Sequence, residues 1–540
     1  MALPVETYYF GGHFLISVTF LIGVYAAAQL VVPVIYPLKL ISINGYLELR
    51  WKSKYVKQAC SALIVVRSIL FLGLVIYSSS IVISVIANWS LTTVITVTSV
   101  VSIVFTMLGG IKAVIWTDVI LCVCMLSGVI LILTKALVNV GGLREAWRLA
   151  LAGGRLDIFD FRLDPTLRFP FWTVLISSNI DHSCAHSFTQ ASVQRYSNVN
   201  TLTKAKYTMM FSALGEALFV TLGLSIGFVL YAYYASIECD PLKSGAIASP
   251  NLLVPYFVLE NLDYPGVLGF FSASVVAASV STFSSFLNSS AAILWDDFGR
   301  HLKPDVSTQR ATTISKYIVL VLGVISMLFG IVVQYLGGTI VQMFKSAATL
   351  AIPVYGVYLA SIFWPWFNKK GLLSGGIISF VLVTWLCLGQ FYSGSINHAM
   401  LPTSTEQCIM GENSSMISSN AAIYTTTTIT NITNTNAEIY DGNLDNDINH
   451  GNFGKDSDQE THAHQGNNWP SDVLVWIYSI SFFWYSPLGL LIFFIVGSTV
   501  SLCTGREKLC NIDERLLVAW YKRKAKGTCK EMEALNKSEG

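Results

Sequence analysis

Charge is what this chain has least of. Only 12% of its 540 residues are Asp, Glu, Lys or Arg, against about 25% in ordinary soluble proteins. Neither sign dominates. The 34 Lys and Arg face 32 Asp and Glu, a net charge of +2, which removes the electrostatic basis for binding nucleic acid. The ten cysteines contain no CxxC pair and no Cys/His partnership, so neither a zinc site nor a dense disulfide framework is expected. No HExxH run, phosphate-cradling glycine loop or nucleophile–base set stands out, so neither an enzyme nor a bound cofactor is expected. Apolar residues fill the space these absences leave. Hydrophobic side chains make up 53% of the chain and mean hydropathy is +0.57. The reading is an all-α polytopic membrane protein whose standing partner is the lipid bilayer.

A helix needs about 20 apolar residues to cross a bilayer. Such runs fall near 13–36, 61–86, 92–108, 113–134, 170–188, 207–233, 266–294, 316–336, 339–365, 372–392 and 471–502, eleven in all. An odd number sends the termini to opposite sides. Lys/Arg bias sets the orientation: Arg50, Lys52, Lys54 and Lys57 follow the first run, and the tail 503–540 is strongly basic. The C-terminus is therefore expected in the cytoplasm. Only the loop 135–169, with six basic residues, runs against the trend. The chain divides into a membrane core over 1–392, an outer loop over 393–470, a last span over 471–502 and the basic tail. TTTTITNITNTN and DGNLDNDINHGN mark the outer loop as low-complexity and disordered. Within it, Asn413 and Asn431 open glycosylation sequons. Cys239 and Cys408 fall on the same oxidising side and are candidates for a disulfide.

The most informative run is FSASVVAASVSTFSSFLNSSAAILWDD, from Phe271. Ser274, Ser281, Ser285 and Ser289 are spaced seven, four and four apart, one helical face. Two readings fit. Small and hydroxyl residues are what packed membrane helices use at their seams. Equally, the Ala278 carbonyl and the Ser281 and Thr282 hydroxyls sit within one turn and offer neutral oxygens to a bare alkali ion, for which sodium is suited. Asp118 closes GGIKAVIWTD, where two glycines are expected to break one helix before the next begins; it is either a helix cap or an acid on a cation's way to the cytoplasm. Asp181, His182 and His186 interrupt the run 170–188. The two His could chelate a metal at that spacing, but with no third ligand in view a water-exposed cavity lining, or simply the end of the span, reads better. Lys345, in VQMFKSAATLAIP, either snorkels to the interface or faces a cavity and receives an anion.

GGIKAVIWTDVI, QASVQRYS, ECDPLKSG and SASVVAASVSTFSSFLNSSAA resemble, in order and spacing, motifs of the sodium/solute symporter family. VETYYFGGHFLI, INGYLELR, LPTSTEQC and ISFFWYSPLGLLIFFIVGSTVSLCTG are closest to its monocarboxylate and multivitamin branch. The resemblance covers essentially the whole chain outside 409–470. It implies a LeuT-type fold of inverted repeats with substrate and ion near the midplane, sodium held by the Ala278 carbonyl, Ser281 and Thr282, and Asp118 on the sodium exit path. It also implies two further helices ahead of Met1-Ala-Leu-Pro-Val-Glu, so the first core helix is expected to be incomplete. Asp181, His182 and His186 depart from the family's aromatic and uncharged residues. The function implied is sodium-coupled symport of a small organic anion, a monocarboxylate or vitamin, at the plasma membrane. Sugar or iodide transport, or a truncated non-transporting member acting as sensor or regulatory subunit, are the alternatives.

Overall fold

A computed structural model describes residues 2–157, 159–262, 264–300, 306–336, 338–392, 400–408 and 469–521. The described elements are helical. α1 (Ala2–Phe10) is short, α2 spans Leu15–Leu30, α3 Lys54–Ala87 and α4 Leu91–Val140. A turn at Phe171–Thr173 and a π-helical turn at Val174–Ser178 lead into α5 (Asn179–Phe188). α6 (Leu202–Ser236), α7 (Val267–Leu294), α8 (Thr308–Val333), α9 (Ile340–Ala348), α10 (Ile352–Phe363), α11 (Lys369–Tyr392) and α12 (Tyr485–Cys503) follow.

Ten candidate membrane spans, by length and apolarity, lie among the described residues. They match all the expected runs except 170–188. That segment is helical too, but Asp181, His182 and His186 dilute its hydropathy. One local expectation fails. Gly109-Gly110 does not interrupt the backbone: α4 runs unbroken from Leu91 to Val140, with two apolar spans, Leu91–Leu108 and Thr117–Val140, inside one hydrogen-bonded helix. Glycine costs a helix only about 1 kcal/mol, which flanking apolar burial outweighs. Asp118 therefore stands inside a helix and is no cap.

The helices are apolar around most of their circumference, so they bury one another instead of a single stripe. α7 packs on α3, α4 and α8; α6 packs on α1, α2 and α4; α11 packs on α12. Small residues set the closest approaches. A side chain at Gly227 of α6 would meet the Pro4 carbonyl at 2.5 Å and Thr7 Cβ at 2.5 Å, so α1 lies almost backbone to backbone on α6. At Gly128 of α4 an added Cβ would stand 2.6 Å from the Ser274 hydroxyl. Ser274 is thus part of the α4–α7 seam.

Polar clusters brace the two ends of the bundle. At one end Glu6 takes two 2.8 Å hydrogen bonds from Arg168, while Thr339, which caps α9, donates to Glu6 at 2.7 Å. The Arg168 guanidinium lies 3.8 Å from the Phe10 ring centroid and 4.8 Å from that of Phe482. At the other end fully buried Asp297, on a π-helical turn at Trp295–Gly299, meets Lys57 at 3.1 Å and accepts from Ser42 at 3.0 Å and Asn44 at 3.1 Å.

The segment 400–408 corrects the expectation that everything from 393 to 470 is structureless. Buried Arg155 donates to the Pro402 carbonyl at 2.9 Å, Asp240 N–H donates to the Ser404 carbonyl at 3.0 Å, and a disulfide joins Cys239 to Cys408. LPTSTEQC is polar yet ordered, because its main-chain groups are satisfied by an arginine and a loop far away in sequence. Asn413 and Asn431 lie outside the described residues.

Candidate functional site

A cavity of about 420 Å³ lies among α1, α3, α4, α6, α7 and α9, and Ala278 and Thr282 both line it. α7 brings them there because residues four apart share a face. The Thr282 hydroxyl donates to the Ala278 carbonyl at 3.0 Å, its own helix's back-bond. Ser281, the next residue round the helix, donates to Asp118 Oδ1 at 2.6 Å. Each hydroxyl proton is therefore committed, but each hydroxyl oxygen keeps lone pairs, whereas the Ala278 carbonyl, which also accepts the Thr282 backbone N–H within α7, is freed for a cation when the Thr282 hydroxyl turns away. The Thr282 hydroxyl oxygen faces the cavity with lone pairs to spare, and the Ser281 hydroxyl lies on the neighbouring face toward Asp118. The wall opposite carries Ser78 and Ser79 of α3, whose hydroxyls back-bond to Val75 and Ile76 carbonyls at 2.9 and 3.0 Å and likewise keep free lone pairs.

Asp118 sits just behind this turn. Besides Ser281 it meets Arg195 at 3.4 Å, and Arg195 donates to Ser285 at 3.2 Å. The fold thus brings Asp118 from α4 and the hydroxyl stripe of α7 into one cluster, 163 residues apart in sequence. Asp118 is half-buried and its arginine mostly exposed. A carboxylate in that position can trade its serine or its arginine for a passing cation at modest cost.

The other four expected residues group elsewhere. Asp181 and Lys345 form an ion pair, with the Lys345 ammonium 4.5 Å over the Phe483 ring. The His182 ring stacks on Phe20, centroids 3.6 Å apart, and its Nε2 has no hydrogen-bond partner. His186 accepts or donates at 3.1 Å to the His182 carbonyl through Nδ1 and lies 3.3 Å from Glu216 through Nε2. None of the four lines the 420 Å³ cavity. The two His do not converge, and no cluster of three or more metal-ligating side chains occurs among the described residues.

Sequence reasoning passed over Arg67. It sits in the middle of α3, within an apolar run, and lines a second, small pocket of about 20 Å³ with Ser68, Thr189, Ser289, Ser290 and Tyr355. A lone charge amid a membrane span was the available signal.

Comparison with known proteins places this geometry. The family model described as the sodium:solute symporter family matches residues 1–379. The sodium-coupled monocarboxylate transporter 2 of Danio rerio is 29% identical over 506 residues, 93% of this chain and 74% of that protein. The human sodium-coupled monocarboxylate transporter 1 is 29% identical over 96% of this chain and 80% of its own length. The human sodium/iodide cotransporter is 28% identical over 96% and 76%. Among solved structures, the substrate-bound outward-open state of a Na+-coupled sialic acid symporter superposes with a TM-score of 0.65 at 18% identity, covering 94% of this chain and 87% of that one. The fold is thus LeuT-like, all-helical and membrane-spanning.

Proposed function

The chain belongs to the sodium:solute symporter family, and from that premise we propose that it couples sodium entry to uptake of a small organic anion, a monocarboxylate, by alternating access at the plasma membrane. The observation that carries the reading is the turn Ala278–Thr282. It presents neutral oxygens to a cavity that α1 and α3 close from the other side. Sodium bound there would hold α7 against α1. It can shift the conformational balance only by as much as it prefers one state over the other. Bridging two elements that separate in the other state supplies that preference. Release would follow as the ion passes from Ser281 to Asp118, the next oxygen along. A cavity of about 420 Å³ suits a solute of a few heavy atoms to vitamin size. On this reading the C-terminus is cytoplasmic and the sequons Asn413 and Asn431 face outward and carry glycans.

Monocarboxylate is favoured over iodide because both forms of the monocarboxylate transporter lie among the relatives. The test is uptake of labelled lactate, nicotinate, biotin and iodide by the full chain in proteoliposomes, in sodium and in choline. Sodium-dependent uptake of at least one carboxylate, exceeding iodide, is expected. Uptake equal in choline would overturn the coupling, and uptake of iodide alone would overturn the substrate class.

A further inference from the structure

Three of the cations set deep in this bundle are matched to carboxylates: Lys57 to Asp297, Arg168 to Glu6 and Lys345 to Asp181. Arg67 is not. Its Nε is sealed from solvent without a hydrogen-bond partner, and among the described residues it makes no ion pair like the other three. Its one recorded neighbour by ring contact is Phe71, 5.8 Å from guanidinium carbon to ring centroid. A guanidinium does not discharge itself by losing its proton. About two turns inside the apolar run 61–86 and half-buried, it is costly unless something answers its charge, and such residues mark pathways.

The surroundings say what would answer it. The pocket that Arg67 lines is walled by the hydroxyl-bearing Ser289, Ser290, Thr189 and Tyr355 and by no carboxylate. Ser289 now donates to the Phe286 carbonyl at 3.0 Å, but hydroxyls rotate, and turned inward they would join the guanidinium as donors to an anion. The pocket also lies on a line with the central cavity. On α3, Arg67, Phe71 and Val75 follow at intervals of four, with Val75 in the cavity wall. On α7, Ala278, Thr282, Phe286 and Ser290 do the same, the first two in the cavity and the last two at the Arg67 pocket. Between the two spaces three rings meet: Phe71 lies 4.7 Å from Phe286 and 5.3 Å from Phe344, centroid to centroid. Phe344 belongs to the cavity wall and Phe286 to the pocket wall. Beyond the pocket, toward the same end of the bundle, stand Lys57 and Asp297. The aromatic trio separates the two spaces, and the pocket beyond it holds only about 20 Å³.

We propose that Arg67 is a carboxylate-binding station for the transported anion, reached when Phe71, Phe286 and Phe344 part and the pocket between α3 and α7 expands. The inference rests on the organic-anion reading above and adds to it the group that receives the charge. Arg67 takes the part that Lys345 cannot, since Lys345 already has Asp181. A guanidinium holds a carboxylate by two parallel N–H donors, and the flanking hydroxyls complete the cradle. Sodium stays at the α7 turn, on the far side of the aromatic trio.

The test uses the full chain with lactate, nicotinate and biotin as probes, in two measurements: uptake in proteoliposomes and anion-dependent thermal stabilisation of the purified protein in detergent. Arg67→Gln should fold, because it removes an unanswered charge. It should lower both uptake and anion-dependent stabilisation by about tenfold or more in half-saturating anion, the scale of a lost charge-assisted hydrogen bond, while the sodium concentration for half-maximal stabilisation stays within about twofold. Arg67→Lys should recover part of the loss. Phe71→Ala should raise the access of a small thiol reagent to an Arg67→Cys variant. Wild-type uptake and stabilisation in Arg67→Gln would overturn the station while leaving the symport reading intact. Arg67-dependent anion stabilisation in a chain that moves none of the probes would sink the symport reading and support the station. Failure of Arg67→Gln to fold would show that the guanidinium is structural, and absence of any anion-dependent stabilisation in the wild type would show that there is no site; either overturns the proposal.

Discussion

Arg168, buried, and Arg67, half-buried, have opposite surroundings. Arg168 is held by both oxygens of Glu6, by Thr339 and between the rings of Phe10 and Phe482. Arg67 has a buried Nε with no partner and a wall of hydroxyls. The first arrangement ties α1, the chain entering α5 and the start of α9 into one knot. Nothing is left over for a ligand. The second is unfinished, and only something brought from outside can complete it. A buried charge whose partners are built in, a carboxylate for Arg168 or main-chain carbonyls for Arg155 and Arg50, is part of the architecture, whereas on the proposal above the one left without them is a place for cargo.

Breaking the finished arrangement should have the largest effect. Glu6→Gln leaves Arg168 buried and uncompensated, which costs about 3–5 kcal/mol. Thermal unfolding in detergent should show a fall of many degrees, against little or none for Arg67→Gln. Equal stability losses in the two variants would erase the distinction between the sites. Next in size is the Asp181–Lys345 pair, each partner about one-fifth exposed. Either single change, Asp181→Asn or Lys345→Met, should cost about 1–3 kcal/mol by orphaning the other, and the double change should recover most of it. Were Lys345 the anion's receptor instead, the double variant would regain stability but not uptake. The smallest effect sharpens the ion site. Ser281→Ala and Thr282→Ala each remove one acceptor, a loss of about 1–2 kcal/mol, so the sodium needed for half-maximal uptake should rise about tenfold. Ser274→Ala, in the α4–α7 seam, should leave it unchanged. If Ser274 and Ser281 behave alike, the stripe is packing throughout.

The spans were legible because an apolar run of the right length has few alternatives in water or lipid. Ser274 and Thr282 show the limit of the pattern. They share a hydroxyl stripe and both border the cavity, but Ser274 is wedged against Gly128 of α4 while Thr282 is not. Only the neighbouring helices decide which. The proximity of Asp118 to Ser281 and the choice of Asp181 as partner for Lys345 are contacts across more than 160 residues, and no local spacing encodes them. Arg67 escaped for the opposite reason. It is the one charge past Lys54 and Lys57 in a 34-residue helix, and an average over the window hides it. Gly109-Gly110 misled because glycine permits a break without enforcing one. The order of 400–408 was invisible because main-chain bonds to Arg155 and to the loop after α6 leave no trace in composition.

The bond between Cys239 and Cys408 has a mechanical consequence. Cys408 is the last described residue before position 469, and the covalent link anchors it to the end of α6, which carries α1 on its flank. Force applied to the chain beyond Cys408 is therefore borne covalently by the segment after α6 and not by the main-chain bonds that hold 400–407 in place. The linkage works like the clamp where a cable enters its housing: a pull from outside is taken by the bond itself, and the hydrogen bonds from Arg155 and Asp240 to residues 401–404 are spared it.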